Sequence, residues 1–163
     1  MTNDLYAVVG NPISHSKSPR IHSLFASETG EPVEYTAIQA PRDDFAGTVK
    51  QFFERGGKGL NVTVPFKEEA WKLADRRTER AENAGAANTL YLDGDGVLVA
   101  DNTDGCGVVR DLLINHGVTL HAARSLVLGA GSAVRAVLGP VLAERPCPLT
   151  IANRTLPQPA AQS

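Results

Sequence analysis

The stretch Asn61-Val62-Thr63-Val64-Pro65-Phe66-Lys67 decides how this chain is read. Leu60 to Val64 reads as a buried strand; a proline stops it, and a lysine follows at once in a short helical pattern running from Phe66 to Ala74. A strand feeding a helix in this way is half of a crossover unit, and α/β proteins bind ligands at the carboxyl edge of such strands. Upstream the same alternation repeats. Leu5-Tyr6-Ala7-Val8-Val9 reads as a strand ended by the turn signal Gly10-Asn11-Pro12. Ser18 and Pro19 have the form of an N-cap and a first helical residue; Ile21, Leu24 and Phe25 follow at helical spacing, and Gly30 closes the helix. Val33 to Gln39 alternates as a second strand. Phe45, Val49, Phe52 and Phe53 then make an amphipathic helix face that Gly56-Gly57 terminates. Strand, helix, strand, helix, strand predicts a parallel sheet with crossover helices.

Downstream, Thr89 to Leu92 and Val97 to Ala100 flank Asp93-Gly94-Asp95-Gly96, a hairpin signature that adds antiparallel strands and makes the sheet mixed. Gly107 to Asn115 is helical in pattern, with Val108, Val109, Leu112 and Leu113 as its apolar face, and Gly117 ends it. The pattern restarts at Ser125-Leu126-Val127-Leu128 with a new strand, a Gly129-Ala130-Gly131-Ser132-Ala133 loop, a helix to about Glu144 and a strand from Leu149 to Ala152. That is a second βαβ unit, and a domain boundary is expected in or near the helix spanning 107–115. Residues 156–163 carry two prolines and little apolar character, and disorder is expected there.

Composition narrows the partners. The 163 residues suffice to bury a real core, as one ordinary domain or two small ones, and 42% hydrophobic with 21% charged residues is ordinary for a globular protein. A net charge of −2 gives no electrostatic reason to expect nucleic acid or an acidic membrane as partner. No stretch approaches the roughly 20 apolar residues of a membrane span. Cys106 and Cys147 have neither CxxC spacing nor metal-ligand neighbours, so no metal site is expected. They suit a reducing cytoplasm, as small buried residues.

Three polar clusters carry the chemistry. Lys67, at a helix start on the carboxyl edge of a strand, is placed to orient or deprotonate a hydroxyl if burial lowers its pKa; a helix N-terminus pushes the same way. Asp101-Asn102-Thr103-Asp104-Gly105 supplies a carboxylate, although spacing alone does not choose between Asp101 and Asp104, and capping by Thr103 or Asp104 is the plain alternative. In Ser14-His15-Ser16-Lys17-Ser18-Pro19, the hydroxyls of Ser16 and Ser18 would face one side of an extended segment and suit a carboxylate beside a helix start. Asn88, in Ala86-Ala87-Asn88-Thr89, is either a turn residue or a further polar contact. Lysine, carboxylate and paired hydroxyls together form a kit for holding and deprotonating a polyhydroxylated small molecule. The Gly129-x-Gly131 loop after a strand and before a helix fits a dinucleotide fingerprint, with pyrophosphate on the helix N-terminus. After the next strand stands Asn153-Arg154-Thr155 rather than an acidic residue, and Arg154 suits a 2′-phosphate, hence NADP.

From Tyr6 to Thr155 the chain resembles shikimate dehydrogenase, through GNPISHSKSP, GGKGLNVTVPFKE, the AANTL segment, DNTDG, the GAG loop and ANRT. The resemblance implies an NADP-dependent oxidoreductase that interconverts 3-dehydroshikimate and shikimate in chorismate and aromatic amino-acid biosynthesis. It implies an α/β fold: a mixed-sheet substrate domain over 1–106, then an incomplete Rossmann (doubly wound) NADP-binding domain over 107–155. Lys67 would be the catalytic acid/base and Asp104 its partner. Ser16 and Ser18 would bind the substrate carboxylate, and Asn61, Thr63 and Asn88 would contact its hydroxyl side. Gly129, Ala130, Gly131, Ser132 and Ala133 would hold the pyrophosphate, Asn153, Arg154 and Thr155 the 2′-phosphate, with Glu79 at a further cofactor position. Three departures stand out: Ser132 where the family has a second glycine, Val134 where it has a small residue, and about a hundred residues fewer. The chain therefore reads as C-terminally truncated, with impaired turnover expected. A non-catalytic shikimate- or quinate-binding fragment and a quinate/shikimate dehydrogenase are the rival readings. A homodimer is among the assemblies allowed, with exposed sheet edges as the route to self-association.

Overall fold

The computed structural model describes residues 3–155, so the tail at 156–163 lies outside the described residues. The chain forms two compact units, Met1–Thr103 and Asp104–Ser163. The division falls at the start of the helix that contains the 106/107 boundary expected from the sequence.

The first unit is a six-stranded mixed sheet. Its elements are β1 (Asp4–Gly10), α1 (Ser18–Thr29), β2 (Val33–Gln39), α2 (Phe45–Glu54), β3 (Gly57–Val62), α3 (Lys67–Leu73), β4 (Arg76–Arg77), α4 (Glu79–Ala84), β5 (Thr89–Leu92) and β6 (Leu98–Asp101). The strands run in the order β2-β1-β3-β5-β6-β4. The pairs β1/β2, β1/β3 and β4/β6 are parallel, while β5 pairs antiparallel with both β3 and β6. The parallel and antiparallel parts expected from the sequence therefore meet in one sheet. Its core joins Ala7, Val9, Leu60, Val62, Leu90 and Ala100 of the strands to Phe45 and Val49 of α2 and to Phe66 and Ala70 beside and within α3. Phe45 and Phe66 stack at 4.8 Å, locking the two helices onto the same cluster.

Several local expectations are corrected. The third strand ends at Val62 rather than Val64, and the helix after it begins at Lys67 rather than Phe66, which is its fully buried N-cap. The oxygen at the start of α1 belongs to Ser16, which accepts from the Ser18 N–H at 3.3 Å; Ser18 is already helical and caps nothing. Strand β4 and helix α4 were not anticipated. Arg77 connects them to the core by donating to the carbonyls of Trp71 (2.6 Å) and Ala74 (3.0 Å) while covering the Trp71 ring. It thereby closes the carboxyl end of α3. Thr78 caps α4 through the Ala81 N–H. Helix α1 buries none of its residues, and Ile21, Leu24 and Phe25 are exposed.

The second unit holds α5 (Asp104–Arg110), a π-helical turn (Asp111–Asn115), β7 (Ser125–Leu128), α6 (Ser132–Ala143) and β8 (Leu149–Ala152). Strands β7 and β8 pair in parallel, so β7-α6-β8 is the expected βαβ unit. Its core is small, formed by Val109, Leu120 and Val141 with Leu112, Leu113, Val137 and Leu149 around them. Cys106 and Cys147 are both exposed, against the expectation of burial. Helices α5 and α6 meet at Gly105, where a Cβ would come within 2.1 Å of the Ala136 carbonyl oxygen. Pro140 sits inside α6, four residues after Ala136, and has no N–H to give that carbonyl. The carbonyl that the proline leaves without a helical donor is thus the one against which the glycine packs.

Candidate functional site

Because β1 and β3 are parallel and β5 runs against them, the ends Gly10, Val62, Thr89 and Asp101 fall on one edge of the first unit's sheet. There the main chain is tied across: Thr63 N–H donates to Val9 O (2.9 Å), Val62 N–H to Asn88 O (2.8 Å), and Ala87 N–H to Lys67 O (2.8 Å). These bonds fix the first turn of α3 against the segment before β5. Lys67 itself is half-buried and Thr63 is half-buried beside it.

A line of side chains follows the same edge. The Tyr35 hydroxyl donates to Asn61 Oδ1 at 2.7 Å. Asn61 Nδ2 is directed at Asn88 O (3.5 Å). Asn88 Nδ2 donates to Thr103 Oγ1 (2.9 Å), and its Oδ1 accepts from Thr103 N–H (3.1 Å) and Thr89 Oγ1 (2.9 Å). Asn61 and Asn88, singled out separately from sequence, therefore belong to one hydrogen-bonded line. Ser16 accepts from the Ser18 N–H at the start of α1.

Under this line lies a carboxylate that is structural in its contacts. Asp101, 9% exposed, accepts from Thr78 Oγ1 (2.6 Å), from the Arg80 guanidinium and from Asn102 N–H (2.7 Å). Burial pushes its carboxyl up, but the Arg80, Thr78 and Asn102 hydrogen bonds and the Arg80 charge outweigh that and hold it below the ordinary carboxylate range. Asn102, 3% exposed, donates to Ala86 O (2.9 Å), so the turn ahead of Asn88 is braced from below. The choice that spacing left open is thus narrowed: Asp101 is consumed by its own unit. Asp104 is the first residue of α5 and of the second unit. Sequence reasoning missed Tyr35, Thr103 and the Arg80–Asp101 pair. Thr103 stood inside the quoted DNTDG motif and was weighed only as a cap; Tyr35 carries no local signal beyond strand alternation.

A separate hollow of about 580 Å³ lies along the sheet, lined by Tyr6, His22, Tyr35, Asn61, Thr89 and Tyr91 among others. Of the candidate ligand residues only Asn61 lines it, beside Tyr35 and Thr89, and Lys67 does not.

In the second unit, Gly129 takes a φ of 111°, open to glycine, and donates its N–H to Ala152 O at 2.7 Å. Gly131 is the N-cap of α6 and Ser132 and Ala133 open the helix; nothing lies within 4 Å of a Cβ placed on Gly131. A Cβ placed on Gly129 would meet Val134 Cγ2 at an ordinary 3.7 Å, so at that position the valine leaves room even for a methyl. Leu128, Gly129, Ala152, Asn153 and Arg154 line an open hollow of about 500 Å³. Asn153 Nδ2 is turned back onto Thr155 O (2.6 Å). Glu79 lies elsewhere, exposed as the first residue of α4 in the first unit. No cluster of three or more metal-ligating side chains occurs among the described residues.

Residues 8–90 match the family model of the shikimate dehydrogenase substrate binding domain, which is half of the chain. The chain belongs to that family. A relative from Marinobacter nauticus named shikimate dehydrogenase (NADP(+)) is 75% identical over 156 residues, covering 96% of this chain and 57% of the relative. Among solved structures, an Ael1 enzyme from Pseudomonas putida superposes with a TM-score of 0.91 at 52% identity, over 94% of this chain and 56% of that one. A shikimate 5-dehydrogenase from Thermus thermophilus, in complex with NADP(H) and shikimate, gives 0.83 at 34% identity over 93% and 56%. The chain thus spans little more than half the length of the curated relatives it matches. No helix among the described residues is long and apolar enough to cross a membrane.

Proposed function

We propose that the chain supplies the substrate-binding portion, over 1–106, and the first βαβ unit of a Rossmann NADP-binding portion, over 107–155, of a cytoplasmic shikimate dehydrogenase. The observation that carries this reading is the line Tyr35–Asn61–Asn88–Thr103 along the strand ends, beside the first turn of α3. A cyclic ligand with a carboxylate on one side and several hydroxyls on the other meets matching groups there: Ser16 and Ser18 for the carboxylate, Asn61, Thr63 and Asn88 for the hydroxyls. Lys67 gives or takes the proton at the reacting oxygen, with Asp104, the first residue of α5, as the acid that the family resemblance pairs with it. NADP, when bound, exchanges a hydride with the carbon bearing that oxygen. The loop from Gly129 to Ala133 suits a pyrophosphate, since Gly131 leaves open space at the start of α6, and Arg154 beside the hollow suits a 2′-phosphate.

Titration calorimetry of the chain with shikimate tests the reading. Saturable binding is expected, weakened about tenfold or more by Lys67→Ala or Asn61→Ala, the scale of one or two lost hydrogen bonds. Lack of any shikimate binding refutes it. Binding of shikimate without NADP would favour a non-catalytic binding module instead.

A further inference from the structure

The hydroxyl of Tyr35 reaches Asn61, a residue assigned to the hydroxyl side of the ligand. Tyr35 lies on the edge strand β2, and its ring stacks on His22 of α1 with centroids 4.0 Å and planes 2° apart. Stacking and strand pairing together fix where the phenol oxygen sits. That oxygen donates its one proton to Asn61 Oδ1 at 2.7 Å. Burial raises the phenol's pKa to about 12, so the proton stays on throughout the neutral range.

Pinning Asn61 has a chemical consequence. A free carboxamide can flip and exchange donor for acceptor. Here Oδ1 accepts from Tyr35 and Nδ2 is directed at Asn88 O, so flipping would set oxygen against oxygen at Asn88 and reverse the Tyr35 bond. We propose that Tyr35 is a positioning residue that fixes the Asn61 amide and so the donor and acceptor it offers a ligand. The identity of that ligand rests on the shikimate reading; the coupling of Tyr35 to Asn61 does not.

Tyr35→Phe keeps the ring, the His22 stack and the strand, and removes only the oxygen. Two measurements on the same chain keep the coupling and the ligand separable. In nitrogen-edited NMR spectra, the Asn61 side-chain amide pair, assigned by its loss in Asn61→Asp, is expected to shift in Tyr35→Phe. An unmoved pair overturns the proposal whatever binds. In calorimetry with shikimate, Tyr35→Phe is expected to weaken binding about tenfold with the thermal midpoint little changed. Adding it to Asn61→Ala should then cost less than the two losses combined. Full additivity, or wild-type affinity in Tyr35→Phe, overturns the proposal. If the wild type binds no shikimate while the amide pair still moves in Tyr35→Phe, the substrate reading fails and the fixing of Asn61 stands.

Discussion

The two units are built from the same alternation of strand and helix, yet they bury very different amounts. The first closes six strands over a continuous cluster containing Phe45, Leu60, Phe66 and Leu90. The second has two strands and a core of Val109, Leu120 and Val141, with Leu126, Leu128 and Ile151 of its strands left exposed. Apolar burial sets stability, and a two-stranded sheet with one helix on it removes little surface from water. The comparison teaches that the edge proposed to bind the substrate is set on the well-packed part of the chain, while the glycine loop is set on the weakly packed part.

The largest expected effect breaks the first unit. Leu60→Ala empties a position only 2% exposed and should cost about 2–5 kcal/mol in denaturant unfolding monitored by Trp71 fluorescence. Val141→Ala, in the thinner core, should leave that transition unmoved. Next is Gly105→Ala, whose methyl would meet the backbone at Ala136, so α5 or α6 must move; a loss of about 1–3 kcal/mol is expected. Hydrogen exchange should report it as faster exchange at amides of α5 and α6 only.

Acid gives a third comparison. Asp101 has its folded pKa depressed, so its contribution is present above the ordinary carboxylate value of about 4 and is lost as pH falls through the lower folded value. Arg80→Ala should flatten this acid dependence in the first unit's unfolding and cost about 1–3 kcal/mol at neutral pH, the penalty for under-satisfying a buried acceptor. The smallest effect belongs to the exposed Lys50–Glu54 pair on α2. Lys50→Ala should change stability by less than about 0.5 kcal/mol, and a larger loss would mean that surface charge matters more here than burial.

Much of this architecture was legible because apolar periodicity follows burial. The run Leu5 to Val9, the face Phe45–Val49–Phe52–Phe53 and the hairpin around Asp93 to Gly96 all read directly as the elements observed. Arg76 to Ala84 was opaque because a two-residue strand has no period, and α4 is held by a threonine cap and by tertiary contacts rather than by an apolar stripe. The cysteines misled because their burial depends on what packs over a helix or loop, and local pattern does not report that. Motif chemistry singled out Ser18, Asn61 and Asn88 as candidates, and two of them, Asn61 and Asn88, are hydrogen-bonded neighbours. Tyr35 stayed hidden because its role arises from β2 lying next to β1, a pairing far from the motifs in sequence.

The contact between Gly105 and the Ala136 carbonyl ties two distant positions into a single evolutionary step. Pro140 silences the donor that would otherwise occupy that carbonyl, and a residue without a side chain takes the space. Restoring an N–H at 140 would give that oxygen a donor within its own helix. Enlarging 105 alone would force the helices apart. In descendants of this sequence the two sites should drift as a pair or stay still together.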